Sequence, residues 1–491
     1  MNRVFRSWLP VLALSALSCN CSKSRPQAST ENAPAVTRFD AGRSLSAPMP
    51  FHCDPSAQGE PLTLGSTGGV DEDDDSGLDV PFAVNVGPGV GLDHGFAVTA
   101  VDGRGGKSQA VLALMNVDTQ QGRKLDLGRV YGDADPPRIA GNAERLVLAV
   151  ADMDASGRTL SLARVDAPLT QPRLTRGGEI PVVQNPATVF SLAVDGDQGV
   201  LVWDQADRGT ENNQIALAAF SVQSLALPTK PQILSSKHGD ADSPNVIARP
   251  GGYWVAWIQA GASGARPPPG KGATTPSHAK GESTDDDNLK LVDMGTRELQ
   301  VLTLDAKGRP LGKPVRVSEG ASHVVAYDMN LLDDGAALLA WRDDDRAPGV
   351  ESQIVRLARA GLDGHVENFR IEDESIGVGV PQLLIDTTAP AADRAWLAII
   401  NTGDKTSLAK LLPNGKPLGA VVADADLGVA SPVVRHQGRL LLVRQRGKGV
   451  DVEALHCMLN GPIEGQPPPS ASGVPSVPLT NEGVPRPDSS K

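Results

Sequence analysis

Short apolar runs recur along the chain, each introduced by a glycine or an arginine and followed by polar turn residues. The clearest copies carry a tryptophan at or near their end: Gly199–Asp204, Gly252–Trp257 and Gly335–Trp341. Weaker copies are Gly95–Asp102, Arg145–Asp152, Arg394–Asn401 and Gly438–Val443. A short apolar run bounded by turn residues predicts a β-strand that is buried on both faces.

A second pattern follows these runs, consisting of an apolar strand, a turn that contains glycine and another strand. The best pair is Leu304–Val315 and Leu412–Val421, which share a Gly-Lys/Arg-Pro-Leu-Gly turn. Asn414 followed by Gly415 is a strong signal for a hairpin turn. Each unit of the repeat therefore contains several short strands joined by tight turns.

The repeat has the period of a β-propeller blade. One core position recurs at intervals of roughly 45–60 residues, with one wider gap, and that spacing is typical of propeller blades. The aligned positions are Val101, Val150, Trp203, Trp257, Trp341, Ile399 and Val443. The wider gap holds residues 260–289, which are rich in Pro, Gly, Ser and charge and indicate a loop inserted within one blade.

We therefore predict an all-β chain with a single β-propeller at residues 48–460, of seven blades, with six or eight as alternatives. The 52 glycines and 39 prolines of the 491 residues agree with this, because both residues interrupt helices. Such rings are expected to close when one end of the chain completes the last blade. The three strongest tryptophans, Trp203, Trp257 and Trp341, are expected to pack between blades.

The two ends of the chain differ from this region. Residues 1–18 carry Arg3 and Arg6 before a short apolar run, which predicts a secretory signal peptide. Residues 19–47 indicate a disordered tether, and residues 461–491 a disordered tail rich in Pro, Ser and Gly. Since no other segment approaches the roughly 18 apolar residues that cross a bilayer, we expect no transmembrane helix in the mature chain.

The stretch Ser15–Cys19 resembles the lipobox of bacterial lipoproteins, in which small residues directly precede a cysteine. The resemblance implies cleavage before Cys19 and lipidation of that residue, with palmitate among the acyl chains. Asn20 stands where a signal for retention in the inner membrane carries Asp, so the resemblance implies an outer-membrane anchor in the cell envelope. A secretory signal with a chance cysteine near its end is the alternative.

The repeat region resembles the propeller-like repeat lipoproteins of myxobacteria and related large-genome bacteria. The motifs that carry the resemblance are the Gly-aromatic-apolar-Ala-Trp runs and the Gly-Lys/Arg-Pro-Leu-Gly turns. The resemblance implies a fold and a cellular compartment, and it indicates little about a reaction or a ligand. The net charge of −12 argues against nucleic acid as a partner, because binding to phosphates needs a basic surface.

Besides Cys19, the chain contains Cys21, Cys53 and Cys457. In an exported protein, Cys53 and Cys457 are a candidate disulfide that would join the two ends of the propeller. His52 and His456 beside them suggest a zinc site by residue type. Adjacent residues of a strand point to opposite faces, however, so the disulfide is the preferred interpretation.

A calcium loop is suggested by Asp152, Asp154 and Ser156, whose oxygen ligands alternate before Gly157. The carboxylate that would complete the loop is missing, so a plain polar turn is preferred. No cofactor is expected, with Ca²⁺ as the alternative. Three acidic runs are interpreted as solvated loops: Asp71–Asp75, Asp285–Asp287 and Asp343–Asp345.

No catalytic motif is present: the chain contains no Gly-x-Ser-x-Gly elbow, His-Glu-x-x-His helix or phosphate-binding loop. We therefore predict a protein that is not an enzyme but a binding or scaffolding module, with a protein or glycan ligand at one end of the propeller. The inserted loop at 260–289 is expected to modify that surface. A glycan-acting hydrolase on the same scaffold is the alternative, and a passive structural lipoprotein the second alternative.

Overall fold

The computed structural model describes strands and turns between residues 52 and 458. The described ranges are 52–54, 62–66, 84–102, 109–116, 118–119, 121–130, 135–154, 157–182, 188–206, 212–236, 239–260, 296–319, 322–345, 352–371, 381–385, 395–400, 406–417, 422–424, 430–436, 439–446 and 449–458. All of them fall within one unit, Ser46–Lys491. The predicted signal peptide, Cys19, Cys21, the tether and the tail lie outside the described residues.

The described residues form seven antiparallel sheets in chain order. Two short strands come first, β1 (His52–Asp54) and β2 (Leu62–Ser66). Sheet 1 consists of β3 (Val84–Leu92), β4 (Gly95–Asp102), β5 (Gln109–Asn116) and β6 (Gln121–Arg129). Sheet 2 consists of β7 (Arg138–Gly141), β8 (Arg145–Asp154), β9 (Gly157–Asp166) and β10 (Arg173–Val182).

The middle of the chain repeats the same meander of four strands. Sheet 3 consists of β11 (Phe190–Asp195), β12 (Gln198–Ala206), β13 (Asn213–Ser221) and β14 (Gln232–Ile233). Sheet 4 consists of β15 (Ala241–Arg249), β16 (Gly252–Ala260), β17 (Arg297–Asp305) and β18 (Val315–Arg316). Sheet 5 consists of β19 (Val324–Leu331), β20 (Ala337–Asp345), β21 (Ser352–Ala360) and β22 (Val366–Arg370).

The last two sheets follow the pattern with one change. Sheet 6 consists of β23 (Pro381–Ile385), β24 (Ala395–Ile400), β25 (Thr406–Leu411) and β26 (Val422–Asp424). Sheet 7 consists of β27 (Ala430–His436), β28 (Arg439–Arg446) and β29 (Gly449–Met458). Its outer positions are taken by β1 and β2, which both pair with β29. The prediction of an all-β chain built from repeated strands is confirmed.

The backbones of neighbouring sheets approach each other most closely at the first strand of each sheet, which we call the inner strand. The inner strands β3, β7, β11, β15, β19, β23 and β27 contact one another in that order, and β27 also contacts β3. Since an inner strand has no sheet partner on its other edge, a proline there removes no hydrogen bond of a ladder. Pro88, Pro244, Pro381 and Pro432 all lie in inner strands.

The hydrophobic core lies between consecutive sheets. One cluster of buried residues packs sheet 2 against sheet 3, and similar clusters join sheets 1 and 2, 3 and 4, 4 and 5, and 5 and 6. The middle strands are consequently buried on both faces, as in β16, where seven successive residues are buried. Continuous apolar runs rather than alternation are therefore the correct pattern for these strands.

Each of the seven aligned core positions lies in the second strand of a different sheet. Trp203, Trp257 and Trp341 are at most 1% exposed, and each packs in the cluster between its own sheet and the preceding one. Val101 and Val150 are also buried. The side chains of Ile399 and Val443 lie outside the described set.

The paired turns of the sequence have the same geometry. Gly308 and Gly415 both have positive φ, +77° and +87°, a conformation that favours glycine. The N–H of Gly308 donates to the carbonyl of Asp305 at 2.9 Å, and that of Gly415 to the carbonyl of Leu412 at 2.8 Å. The segment 261–295, which contains most of the predicted insertion, joins the paired strands β16 and β17 and lies outside the described residues.

Candidate functional site

A cavity of about 250 Å³ lies between the inner strands of sheets 2 to 5. We call it the inner cavity. Its wall is formed by residues at the beginning of β7 and β11, by the bulge of β15 and by the first half of β19. The polar and aromatic residues among them are Arg138, Phe190, Ser191, Ser243, Asn245, Tyr327 and Asp328.

Arg138 is positioned by the neighbouring sheet. Its Nε donates a hydrogen bond of 2.9 Å to the carbonyl of Phe190, and the guanidinium carbon lies 5.8 Å from the centre of the Phe190 ring. This contact is within the range of a cation–π interaction. Burial lowers the pKa of Arg138, while the Asp135 and Asp328 carboxylates oppose the shift. A cation is thus held at the cavity wall by one hydrogen bond and one aromatic face.

Asp328 places a carboxyl group at the same cavity. Its Oδ1 accepts from the backbone N–H of Met329 and its Oδ2 from that of Leu383, both at 2.8 Å. Burial raises the pKa of Asp328 to about 6, although these two hydrogen bonds and the charge of Arg138 favour the ionised form. The carboxyl group of Asp328 therefore takes up a proton when the pH falls to about 6, slightly below neutral pH.

Asn245 and Ser191 form a fixed pair on adjacent inner strands. The Ser191 hydroxyl donates to Asn245 Oδ1 at 3.0 Å and accepts from the backbone N–H of Val246 at 3.1 Å. Because Oδ1 is engaged by Ser191, the side-chain amide of Asn245 is locked in one orientation.

Ser243 has a backbone conformation that is unusual for a residue other than glycine, with φ of +55°. It lies in the register shift of β15 between Asp242 and Asn245. The hydroxyl oxygen of Tyr327 lies 2.7 Å from the carbonyl oxygens of both Ser243 and Ala256 and donates to one of them at a time. Residues with strained backbones cluster at active sites, ligand-binding sites and switch regions.

Two further carboxyl groups lie next to residues of the wall, one of them buried and the other partly exposed. Asp204, 2% exposed, accepts from the N–H of Val189 at 2.8 Å, and burial raises its pKa to about 7. Both carboxylate oxygens of Asp242 accept hydrogen bonds from Nη2 of Arg297, at 2.8 and 2.7 Å. Burial raises the pKa of Asp242, and the charge of Arg297 opposes the shift.

The site residues predicted from the sequence do not line the inner cavity. The backbone register pairs Cys53 directly with Cys457, and Asp54 with His456. This register places the two cysteines on neighbouring strands, while their disulfide stays a prediction. Asp152 and Asp154 lie in β8, opposite Thr159 and Gly157 of β9.

Ser156 and the side chain of Asp154 lie outside the described set. Among the described residues, no group of three or more His, Cys, Asp or Glu side chains could hold a metal ion. The same part of the chain contains no helix long and apolar enough to cross a membrane.

One prediction about acidic residues is wrong. Asp343 does not lie in a solvated loop but near the end of β20, and it is 4% exposed. Its carboxylate accepts from the backbone N–H of His323 and from Nε of Arg356, both at 2.8 Å. The hydroxyl of Ser322 lies 3.0 Å from the carboxylate and 2.7 Å from the carbonyl oxygen of Glu319, and it donates to one of them at a time. A buried carboxylate with two fixed donors is stable where an unpaired one would not be.

No protein-family model matches the chain, and no curated protein matches it in sequence. Solved structures are similar in shape. The β-propeller domain of the Trilobed protease from Pyrococcus furiosus, described as having an open velcro topology, is 10% identical, with a TM-score of 0.43 over 76% of this chain and 94% of that one. A polysaccharide lyase of family PL25, an ulvan lyase, is 11% identical, with a TM-score of 0.47 over 75% and 93%.

A GH93 α-L-arabinofuranosidase of Fusarium graminearum is 8% identical, with a TM-score of 0.39 over 63% and 89% of the two chains. The prediction that the chain is not an enzyme is contradicted by these structures, because they include a lyase and a glycosidase. At these identities the likeness concerns the fold alone, since one fold hosts many functions.

Proposed function

We propose that this chain is a seven-bladed β-propeller of the cell envelope whose inner cavity binds a saccharide unit. The observation that carries the proposal is the lining of the cavity, where Arg138, Asp328 and Asn245 place a cation, a carboxyl group and an amide around one space. A sugar hydroxyl can both donate and accept hydrogen bonds, so it can use all three kinds of group. The cavity of about 250 Å³ is smaller than the pockets that bind drug-sized ligands, so it suits a smaller ligand.

The seven-bladed ring is supported by three features of the backbone. Seven sheets follow one another in the described chain, and β27 contacts β3, the inner strand of sheet 1. The pairing of β1 with β29 would close the ring by letting the N-terminal strand complete the last blade.

A direct test of the function is saccharide binding by a variant whose cavity is filled. Ala326 lines the cavity and is partly exposed, so Ala326→Phe would occupy the space of the ligand. Leu311 lies in a turn and is 59% exposed, so Leu311→Phe is a matched control away from the cavity. On a saccharide array we expect the wild type and Leu311→Phe to bind the same sugars and Ala326→Phe to bind none. Equal binding by all three proteins would reject the cavity as the site.

A glycan-acting hydrolase is the second candidate, and the carboxyl group of Asp328 favours it. A pKa of about 6 suits a general acid near neutral pH. The test is the release of reducing ends from a polysaccharide panel. The hydrolase hypothesis expects activity in the wild type and its loss in Asp328→Asn, and no release by the wild type would reject it.

The anchoring of the chain is also part of the proposal. Lipidation of Cys19 would attach the protein to the outer membrane, with the propeller exposed to envelope glycans. Metabolic labelling with a palmitate analogue should label the wild type and leave Cys19→Ser unlabelled. Fractionation of the envelope would then distinguish the outer from the inner membrane.

A further inference from the structure

We propose that Arg138 and Asn245 form a subsite for the carboxylate group of an acidic saccharide within the inner cavity. This inference rests on the proposed function, because it assumes that the cavity takes a saccharide. It adds the chemical class of the ligand, a uronic acid rather than a neutral sugar.

The first step concerns the orientation of Asn245. Its Oδ1 is occupied by the hydroxyl of Ser191 at 3.0 Å. That hydroxyl cannot rotate away freely, since its oxygen also accepts the N–H of Val246 at 3.1 Å. With the oxygen fixed on Ser191, the group that Asn245 can offer to a ligand is its side-chain amide N–H₂, a pure donor.

The second step concerns Arg138. Its Nε is used by the carbonyl of Phe190, which fixes the guanidinium plane at the wall and leaves the terminal nitrogens as the groups that can reach a ligand. The Phe190 ring lies beneath the guanidinium carbon at 5.8 Å. A guanidinium held in this way has little side-chain entropy left to lose when it binds a carboxylate.

The third step joins the two residues. Arg138 belongs to β7 and Asn245 to β15, and both strands contact β11, which carries Phe190 and Ser191. The residues that hold the two donors in place are therefore consecutive on the strand between them. The charged guanidinium of Arg138 and the amide N–H₂ of Asn245 thus lie on either side of β11. Each can donate to one of the two oxygens of a carboxylate.

Two carboxylates, Asp135 and Asp328, already favour the charge of Arg138, and Asp328 lies in the cavity wall. Both oxygens of Asp328 accept backbone N–H groups, from Met329 and Leu383. These bonds hold its carboxylate in place but keep its negative charge, which opposes an anionic ligand on that side of the cavity. The carboxylate of the ligand would therefore face the guanidinium and the amide, on the side away from Asp328.

The experiment measures the affinity of the purified full chain for glucuronate and for glucose at pH 7.5 by isothermal titration calorimetry. These probes share one ring and differ in the carboxylate at C6. Arg138→Gln removes the charge, and Asn245→Asp replaces the donor by an anionic oxygen of the same shape. Arg176→Gln is the matched control, because Arg176 also donates to a carbonyl across sheets, that of Leu127 at 2.9 Å, outside the cavity.

We expect the wild type and Arg176→Gln to bind glucuronate at least tenfold more tightly than glucose. Arg138→Gln and Asn245→Asp should lose that preference while they keep the melting temperature of the control. Equal affinity of the wild type for the two sugars, or a preference that survives in both cavity variants, overturns the subsite and leaves the proposed function standing. Binding of neither sugar by the wild type overturns the proposed function and the subsite with it.

Discussion

The carboxylate of Asp328 accepts a hydrogen bond of 2.8 Å from the backbone N–H of Leu383, which lies in the next sheet. Two residues further along β19, the amide of Asn330 donates to the carbonyl of the same residue at 3.1 Å. Side chains of one inner strand thus bind both backbone groups of Leu383. Ser191 makes the equivalent contact to Val246 between sheets 3 and 4. Polar side chains therefore join adjacent sheets at their inner edges.

Replacement of Asp328 tests the strength of this contact. Asp328→Ala leaves the N–H groups of Met329 and Leu383 without their acceptor, and we expect a loss of about 1–3 kcal/mol in the free energy of unfolding. Asp328→Asn retains an oxygen acceptor for one of them and should cost less. Urea unfolding of the two variants measures the difference. Equal stability of Asp328→Ala and the wild type would show that the contact contributes nothing.

Asp204 should make the protein more stable in mild acid. Its pKa is raised from 3.8 to about 7 in the folded state. The folded protein therefore binds more protons than the unfolded chain between these two values, and stability falls as the pH rises through that window. Asp204→Asn removes the buried charge and keeps an acceptor for the N–H of Val189. We expect the variant to melt at a higher temperature than the wild type at pH 7.5 and to show a smaller change between pH 5 and 7.5.

Asp305→Asn is the control for this experiment, because its effect has the opposite sign. The backbone N–H and the guanidinium of Arg309 lower the pKa of Asp305. Its ionised form thus stabilises the folded protein above the pKa of the unfolded chain, and this contribution disappears as the pH falls. Asp305→Asn should lower the melting temperature at pH 7.5. A rise in both variants would contradict the assignment.

The repeat can be predicted from the sequence because the second strand of each sheet is buried and therefore carries a continuous apolar run. Trp203, Trp257 and Trp341 are recognisable since two neighbouring sheets cover both faces of these strands. The inner cavity leaves no comparable pattern. The inner strands β15 and β19 are interrupted by bulges, and Asn245 and Asp328 line one cavity only through contacts between sheets. The recurrence of a proline in these strands, as at Pro244 and Pro381, is the one local signal that could have located them.

The three tryptophans differ in the hydrogen bond of the indole. Trp203 donates to Oε1 of Gln205 at 3.1 Å, and Trp257 to Oε1 of Gln259 at 3.3 Å. At the equivalent position two residues after Trp341, the chain carries Asp343, and the indole N–H of Trp341 finds no hydrogen-bond partner among the described residues.

Tryptophan-to-phenylalanine substitutions should therefore differ in cost. Trp203→Phe loses packing and a hydrogen bond, whereas Trp341→Phe loses similar packing but removes an unpaired buried donor. We expect Trp203→Phe to be the more destabilising by about 1–3 kcal/mol in urea unfolding. Gln205→Leu leaves the indole of Trp203 without its acceptor. Trp203→Phe should therefore cost less in a protein that already carries Gln205→Leu, and the difference from Trp341→Phe should be smaller there. The reverse order of the two phenylalanine variants would contradict this account.

Gly415 combines a strained conformation with a close neighbour. Its φ is +87°, and a Cβ at this position would lie 2.5 Å from Cδ1 of Leu338, which is fully buried. Gly251 has a similar φ of +76° but no atom within 4 Å of such a Cβ. Gly251→Ala should cost about 1–2 kcal/mol through the backbone alone. Gly415→Ala should cost more, and equal losses in thermal unfolding would show that Leu338 moves aside.

The register of β1 and β29 makes the disulfide prediction testable. Cys53 and Cys457 are direct partners in an antiparallel pair, a placement compatible with the short distance between Cα atoms that a disulfide requires. The bond would close a loop of about 400 residues, which in the chain-entropy model stabilises the folded state by about 6 kcal/mol. Peptide mapping without reduction should recover the two cysteines in one cross-linked peptide. The wild type should melt at a lower temperature after reduction, and Cys53→Ser should melt at that lower temperature with or without reductant. Two free thiols in protein purified without reductant would contradict the proposed closure by a disulfide.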